Sequence, residues 1–206
     1  MGGVSKPEII IRGKTLLARV LEVFYDMPEI TRIIVVCSSD NRARLESAAA
    51  QAGIAAEFVR GGATRADSVY AGVCAAGDGL VCVHDCARPF IRRGDIRLLI
   101  AAAKRSGASS ACRQVTDTVK YFPQSGTPET PDRSRLAAVQ TPQCFFKADY
   151  LKARALCGGE GFTDETALLE KAGYRVEYVR CGAENIKLTQ EPDIPLAEFI
   201  AEKYGY

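Results

Sequence analysis

The chain has no tryptophan, two methionines and one histidine, His84, in 206 residues. A single histidine removes most zinc sites. The eight cysteines include no Cys-x-x-Cys pair, so the usual zinc spacings are missing as well. An excess of either charge is also lacking: 27 Lys and Arg stand against 25 Asp and Glu, a net charge of +2. That balance gives no electrostatic reason to expect nucleic acid or an anionic membrane as partner. No apolar run approaches the roughly 20 residues of a spanning helix, and no basic-then-apolar signal opens the chain. The expectation is a cytoplasmic protein, 1–206, folded as one domain around a sizeable core. Gly-x-Ser-x-Gly, a nucleophilic Cys/His pairing and Gly-x-Gly-x-x-Gly are all absent, which disfavours a covalent hydrolase and a nicotinamide enzyme. Cys37, Cys74, Cys82, Cys112 and Cys144 lie in or beside apolar segments and read as small hydrophobes.

What is present is an alternation of helical and strand-like apolar spacing. Helices are expected over 15–25, 41–51, 64–75, 94–104, 147–156, 164–172 and 192–204. Strands are expected over 32–37, 56–59, 80–83, 109–115, 119–122 and 174–179. Thr64 and Asp67 resemble a capping box with a shortened acid. A polar, proline-bearing stretch, 123–134, reads as a loop or arm. Thr141-Pro142-Gln143 reads as an extended turn, because proline biases the residue before it away from the helical region. Repeated βα units imply an α/β fold, a mostly parallel sheet with helices on both faces.

In such sheets ligands sit beyond the carboxyl ends of the strands. The segment His84-Asp85-Cys86-Ala87-Arg88-Pro89 follows the strand at 80–83 and places a carboxylate and a guanidinium there. A phosphorylated or metal-bound ligand suits that pair; a local Asp85–Arg88 ion pair is the plainer reading. His84 reads as a packed, hydrogen-bonded residue rather than a base. The Gly61-Gly62 turn with Thr64, Arg65 and Ser68 reads either as a phosphate-facing turn or as a helix cap. Asp164 reads as a helix N-cap, and Lys187 on its own as a solvated lysine. Cations and hydroxyls at element ends suit phosphoryl or nucleotidyl transfer, which works by positioning and charge neutralisation.

Taken in order, Gly61-Gly62-x-x-Arg65-x-x-Ser68, His84-Asp85-x-Ala87-Arg88-Pro89, Asp117-Thr118, Asp132-Arg133, Thr141-Pro142-Gln143, Thr163-Asp164-Glu165 and Asn185-Ile186-Lys187-Leu188-Thr189 resemble the 2-C-methyl-D-erythritol 4-phosphate cytidylyltransferases. The resemblance implies a Rossmann-like nucleotidyltransferase domain with a protruding β-arm at about 117–141, exchanged in a homodimer. It implies transfer of a cytidylyl group from CTP to methylerythritol phosphate, with a divalent cation, usually Mg²⁺. By position, Gly62 and Ser68 correspond to cytosine and ribose contacts. Asp85 and Arg88 correspond to residues between nucleotide and acceptor, with Asp85 the candidate metal ligand. Lys6 corresponds to the lysine that stabilises charge on the α-phosphate, and Lys187 and Arg133 to residues that hold the attacking phosphate, Arg133 acting in the partner's site. Thr118, Thr141 and Thr163 fall where the family binds the methylerythritol moiety.

The chain departs from the pattern in two places. The family opens with a strand and a glycine-rich loop that wraps the CTP phosphates; here the sequence starts at Met1-Gly2-Gly3. The expectation is lowered activity and unpaired strand edges where that strand would lie. Ala63 stands where several relatives carry an acid. The competing readings are a ribitol 5-phosphate cytidylyltransferase and an inactive nucleotide-binding homologue.

Overall fold

The computed structural model describes residues 6–159 and 161–206. In chain order its elements are β1 (Ile10–Ile11), β2 (Lys14–Thr15), α1 (Leu16–Tyr25), β3 (Ile34–Cys37), α2 (Arg42–Gln51), β4 (Glu57–Arg60) and α3 (Arg65–Ala75). Then follow β5 (Leu80–Val83), α4 (Arg93–Ser106), β6 (Ala108–Gln114), β7 (Ala137–Phe146), α5 (Lys147–Cys157), α6 (Glu165–Lys171), β8 (Val176–Arg180) and α7 (Asp193–Tyr204). Local chemistry sets many of the boundaries. The Thr15 hydroxyl accepts from the Ala18 N–H and starts α1. Thr64 caps α3 by accepting from the Asp67 N–H, and its hydroxyl donates to the Asp67 carboxylate at 2.8 Å. Asp164 caps α6 through the Ala167 N–H at 3.0 Å, as its sequence position suggests. α4 carries Asp95 in its first turn and Lys104 and Arg105 in its last, matching the helix dipole.

The strands form an antiparallel pair, β1–β2, a parallel pair, β3–β4, and a four-stranded sheet in the order β5–β7–β6–β8. β6 and β8 are parallel, whereas β7 runs antiparallel to both β5 and β6. The sheet is therefore mixed rather than mostly parallel, and the reason is β7. Thr141-Pro142-Gln143 is not a turn; it lies inside this ten-residue strand, with the Thr141–Pro142 bond cis. Proline is tolerated because the register slips there. Gln143 pairs with Ser110 and Val139 with Cys112, and Pro142 falls in the irregularity between them. The expected strand at 119–122 is also not formed. Tyr121 makes one isolated bridge, to Glu129, and the stretch 115–136 is otherwise loop with a 3₁₀ turn at Arg133–Arg135. Residues 137–141 of the expected arm belong to β7.

Helices cover both faces of the larger sheet. Val20 and Phe24 of α1 and Ile96, Leu99 and Ile100 of α4 pack with Leu80, Cys82 and Cys144 on one side. Val73 of α3, Tyr150 and Ala153 of α5, and Leu168 and Leu169 of α6 pack with Val81, Val83 and Phe145 on the other. The alternation along β5 is what a strand flanked by two helical layers requires. Cys74 departs from its expected place in the core and is exposed; all eight cysteines are free thiols.

β3 pairs only with β4 and β5 only with β7 among the described residues. Between the facing edges of β3 and β5 lies a cavity of about 480 Å³, lined by Leu21, Val36, Val69, Gly72, Val81 and Val83. The apolar runs of both strands are mostly half-buried rather than buried.

Candidate active site

β4 and β5 both deliver their carboxyl ends to one place. After β4 the chain turns at Gly61-Gly62 and enters α3 at Arg65. The turn has no room for side chains. A Cβ on Gly62 would stand 2.3 Å from the Asp67 Cβ, and one on Gly61 2.7 Å from the Ser68 hydroxyl oxygen. After β5 the chain enters Asp85, and the two segments meet: the Arg65 Nη2 lies 3.3 Å from Asp85.

Asp85 is the hub. Its second oxygen accepts from the Lys187 Nζ at 2.7 Å, so one carboxylate joins segments about a hundred residues apart. Burial works against its ionised form, but the Lys187 hydrogen bond and the Arg65 charge outweigh it and hold the carboxyl below the usual range. Arg65 is itself clamped: its Nη1 and Nη2 reach the two Glu165 oxygens at 2.8 and 3.2 Å. Glu165 is buried, 4% exposed, and burial raises its pKa against the pull of Arg65. The Gln143 side chain accepts from the Glu165 N–H at 3.1 Å, which ties this clamp to β7.

A second network holds the backbone beneath the hub. The Thr141 hydroxyl accepts from the Asp85 N–H at 3.0 Å and meets the His84 Nδ1 at 3.1 Å. The His84 Nε2 faces the Arg88 carbonyl at 2.9 Å. A neutral ring with Nε2–H donating and Nδ1 accepting satisfies every contact. Burial pushes the imidazole down to about 4, so it is neutral at physiological pH. His84 is thus a structural bolt, as the sequence suggests. Arg88 is buried; its Nη1 donates to the Asn185 carbonyl at 3.0 Å and its Nε has no partner. Asn185 in turn donates to Gln140 and to the Thr141 carbonyl, and the Leu188 N–H donates to the Ala87 carbonyl at 2.8 Å. These bonds sew the Lys187 loop onto the Asp85–Arg88 loop.

The sequence candidates therefore fall into two groups. Asp85, Arg88, Thr141 and Lys187 are brought together, with Gly62 on the turn before Arg65 and Ser68 in the first turn of α3. Asp85 and Arg88 do not pair with each other through their side chains. Lys6 is exposed on a 3₁₀ turn, and the carboxylate on which its charge acts is Asp193. Thr118 is exposed on the arm, as is Arg133, whose guanidinium donates to the Thr116 carbonyl at 2.8 Å. Thr163 is exposed beside the α6 cap.

The model of the 2-C-methyl-D-erythritol 4-phosphate cytidylyltransferase family matches residues 2–203. The chain belongs to that family. The cytidylyltransferase of Geobacillus kaustophilus is 36% identical over 203 residues, spanning 96% of this chain and 89% of the relative. That of Haemophilus influenzae is 38% identical over 200 residues, spanning 94% and 87%. Among solved structures, the 4-diphosphocytidyl-2C-methyl-D-erythritol synthase of Anaerococcus prevotii superposes with a TM-score of 0.88 at 27% identity, covering 98% of this chain and 92% of that one. The cytidylyltransferase of Thermus thermophilus gives 0.79 at 32% identity, covering 96% and 93%. The fold is that of these nucleotidyltransferases.

Four residues of this cytidylyltransferase hold the site together yet receive no role from the motif reading: Arg65, Glu165, Gln140 and Asn185. The signal was partial. Arg65, Glu165 and Asn185 stand inside quoted motifs, but a salt bridge spanning a hundred residues leaves no spacing to read. Gln140 was hidden with the rest of β7.

Proposed function

We propose that this chain joins CTP and 2-C-methyl-D-erythritol 4-phosphate to give 4-diphosphocytidyl-2-C-methyl-D-erythritol and pyrophosphate, a step of isoprenoid precursor synthesis. The observation that carries the reading is the convergence of Arg65 and Lys187 on Asp85 at the carboxyl ends of β4 and β5, with the Arg88 guanidinium held nearby on the Asn185 carbonyl. In the reaction an oxygen of the acceptor's phosphate attacks the α-phosphorus of CTP. A new P–O bond forms, the α–β bridging P–O bond breaks, and pyrophosphate leaves with that bond's electrons. The nucleophile is already an anion, so no activated Ser, Cys or His is needed, which fits a neutral, fully bonded His84. Charge gathers on the α-phosphate, and fixed cations are the means to stabilise it. The Lys187–Asp85 pair at 2.7 Å supports a role for Lys187 in gripping the attacking phosphate, and Arg88 adds a second cation whose Nε has no partner within the protein.

Mg²⁺ fits the donor set in one way only. Among the described residues no three His, Cys, Asp or Glu side chains cluster as a metal cage. Mg²⁺ usually binds through one or two carboxylates plus substrate phosphates, so Asp85 would be its protein ligand and the triphosphate would supply the rest. When bound, it would screen the triphosphate charge. Lys6 and Arg133 are assigned to the α-phosphate and to the partner protomer's acceptor phosphate. An exposed arm bearing Tyr121 and Phe122, 56% and 72% accessible, supports a homodimer built through 115–136. The reading also includes a cytoplasmic enzyme: among the described residues no helix is long and apolar enough to cross a membrane.

Pyrophosphate release from CTP, measured with methylerythritol phosphate and with ribitol 5-phosphate, tests the proposal. Turnover is expected with the first acceptor and little with the second. Preference for ribitol 5-phosphate would reassign the enzyme.

A further inference from the structure

α1 buries a charge on its apolar side. Arg19 lies between Ala18 and Val20 and is 3% exposed. Its Nη2 donates to the Ile11 carbonyl, while Nε and Nη1 are buried without a partner. Arg19 is one of the residues lining a pocket of about 440 Å³ that also includes Lys14, Glu22, Arg92, Arg93 and Tyr204. The pocket shares no residue with the Asp85 cluster.

The other charged groups are already engaged. Lys14 pairs with Glu22 at 2.8 Å, and Arg92 pairs with the buried Glu184. Arg93 donates to the carbonyls of Glu22 and Val23 at 2.7 and 3.0 Å. Arg93 also pairs with Asp26 at 3.7 Å, so Arg19 is the one cation of this lining without an ion pair among the described residues. A buried guanidinium left without an ion partner is costly to the fold. A water molecule would meet its N–H groups but not its charge. An oxyanion meets both, and the planar fork of arginine matches phosphate geometry. Burial pushes the Arg19 pKa down, with the Glu22 charge opposing the shift.

We propose that this pocket is a second anion site, in which Arg19 binds a phosphate-class oxyanion with Lys14 and Arg93 at its rim. The inference does not depend on the transferase reaction. Free phosphate and the pyrophosphate released by such a reaction share the required chemistry.

The test uses the intact, ¹⁵N-labelled protein, titrated separately with inorganic phosphate and pyrophosphate against chloride of matched ionic strength. The Arg19 Nε–H signal is expected to shift saturably with at least one of them, and whichever anion binds more tightly names the source. By calorimetry, Arg19→Met weakens that binding by roughly tenfold or more, the effect of losing charged hydrogen bonds, while Lys187→Gln leaves it intact. An unmoved Arg19 signal, or binding that survives Arg19→Met and vanishes in Lys187→Gln, overturns the proposal. Should Arg19→Met not fold, Arg93→Gln and Lys14→Gln serve instead. Weaker anion binding in both supports the site, and unchanged binding in both refutes it.

Discussion

The Asp85 cluster and the arm both carry charged and polar residues of the family motifs, yet they are built on opposite lines. Around Asp85 the side chains are positioned by others: Glu165 holds Arg65, Arg65 and Lys187 hold Asp85, and Asn185 holds Arg88. On the arm, Arg133, Thr118 and Tyr121 are exposed, and one backbone bridge is the only ladder contact among the described residues. A packed charge cluster is preorganised, so its members' effects are coupled and large. An exposed arm acts only through what it meets, so its residues should affect stability little.

The largest effect is expected at the hub. Lys187→Gln should lower kcat/KM by about 10²–10³, as the loss of a donor to developing charge does, with the thermal midpoint nearly unchanged. A drop below tenfold would place the chemistry elsewhere. Next is the bolt beneath the hub. His84 has its pKa depressed from 6.5 to about 4 in the fold. Its contribution to stability is therefore full above pH 6.5 and is lost as pH falls toward 4. The loss is about 3 kcal/mol at about 1.4 kcal/mol per unit. Urea unfolding at pH 7 and pH 4 for wild type and His84→Asn measures it, and an equal acid loss in both would contradict the network. Smaller still is the clamp. Glu165→Gln frees Arg65 and should cost roughly tenfold in kcat/KM, and Arg65→Lys should do no better, because a lysine cannot fork. Full activity in either would show that the clamp is only structural. The smallest effect belongs to the arm. Phe122→Ala should move stability by less than about 0.5 kcal/mol while weakening self-association in sedimentation. A large loss of monomer stability would erase the contrast between the two regions.

Much of this arrangement is legible in the sequence. The helix starts at Thr64 and Asp164 follow from capping chemistry, the one at Thr15 from apolar spacing, and the apolar run at 80–83 places Asp85 at a strand end. Three features were not legible, each for a physical reason. β7 contains a proline, which argues against a central strand unless a register slip absorbs it, and the slip is a property of β6 and β7 together. Val119–Phe122 alternates like a strand but finds only one bridging partner, Glu129. Arg19 belongs to no sequence motif, and its neighbours in sequence do not reveal the pocket wall formed by Arg92, Arg93 and Tyr204.

The central claim is that Asp85 and Lys187 act as a unit. A double-mutant cycle on kcat/KM, using Asp85→Asn, Lys187→Gln and the pair, measures this directly. The account predicts that the double variant is hardly worse than either single one, a coupling of about 1 kcal/mol or more. Effects that simply add, within about 0.5 kcal/mol, would contradict it.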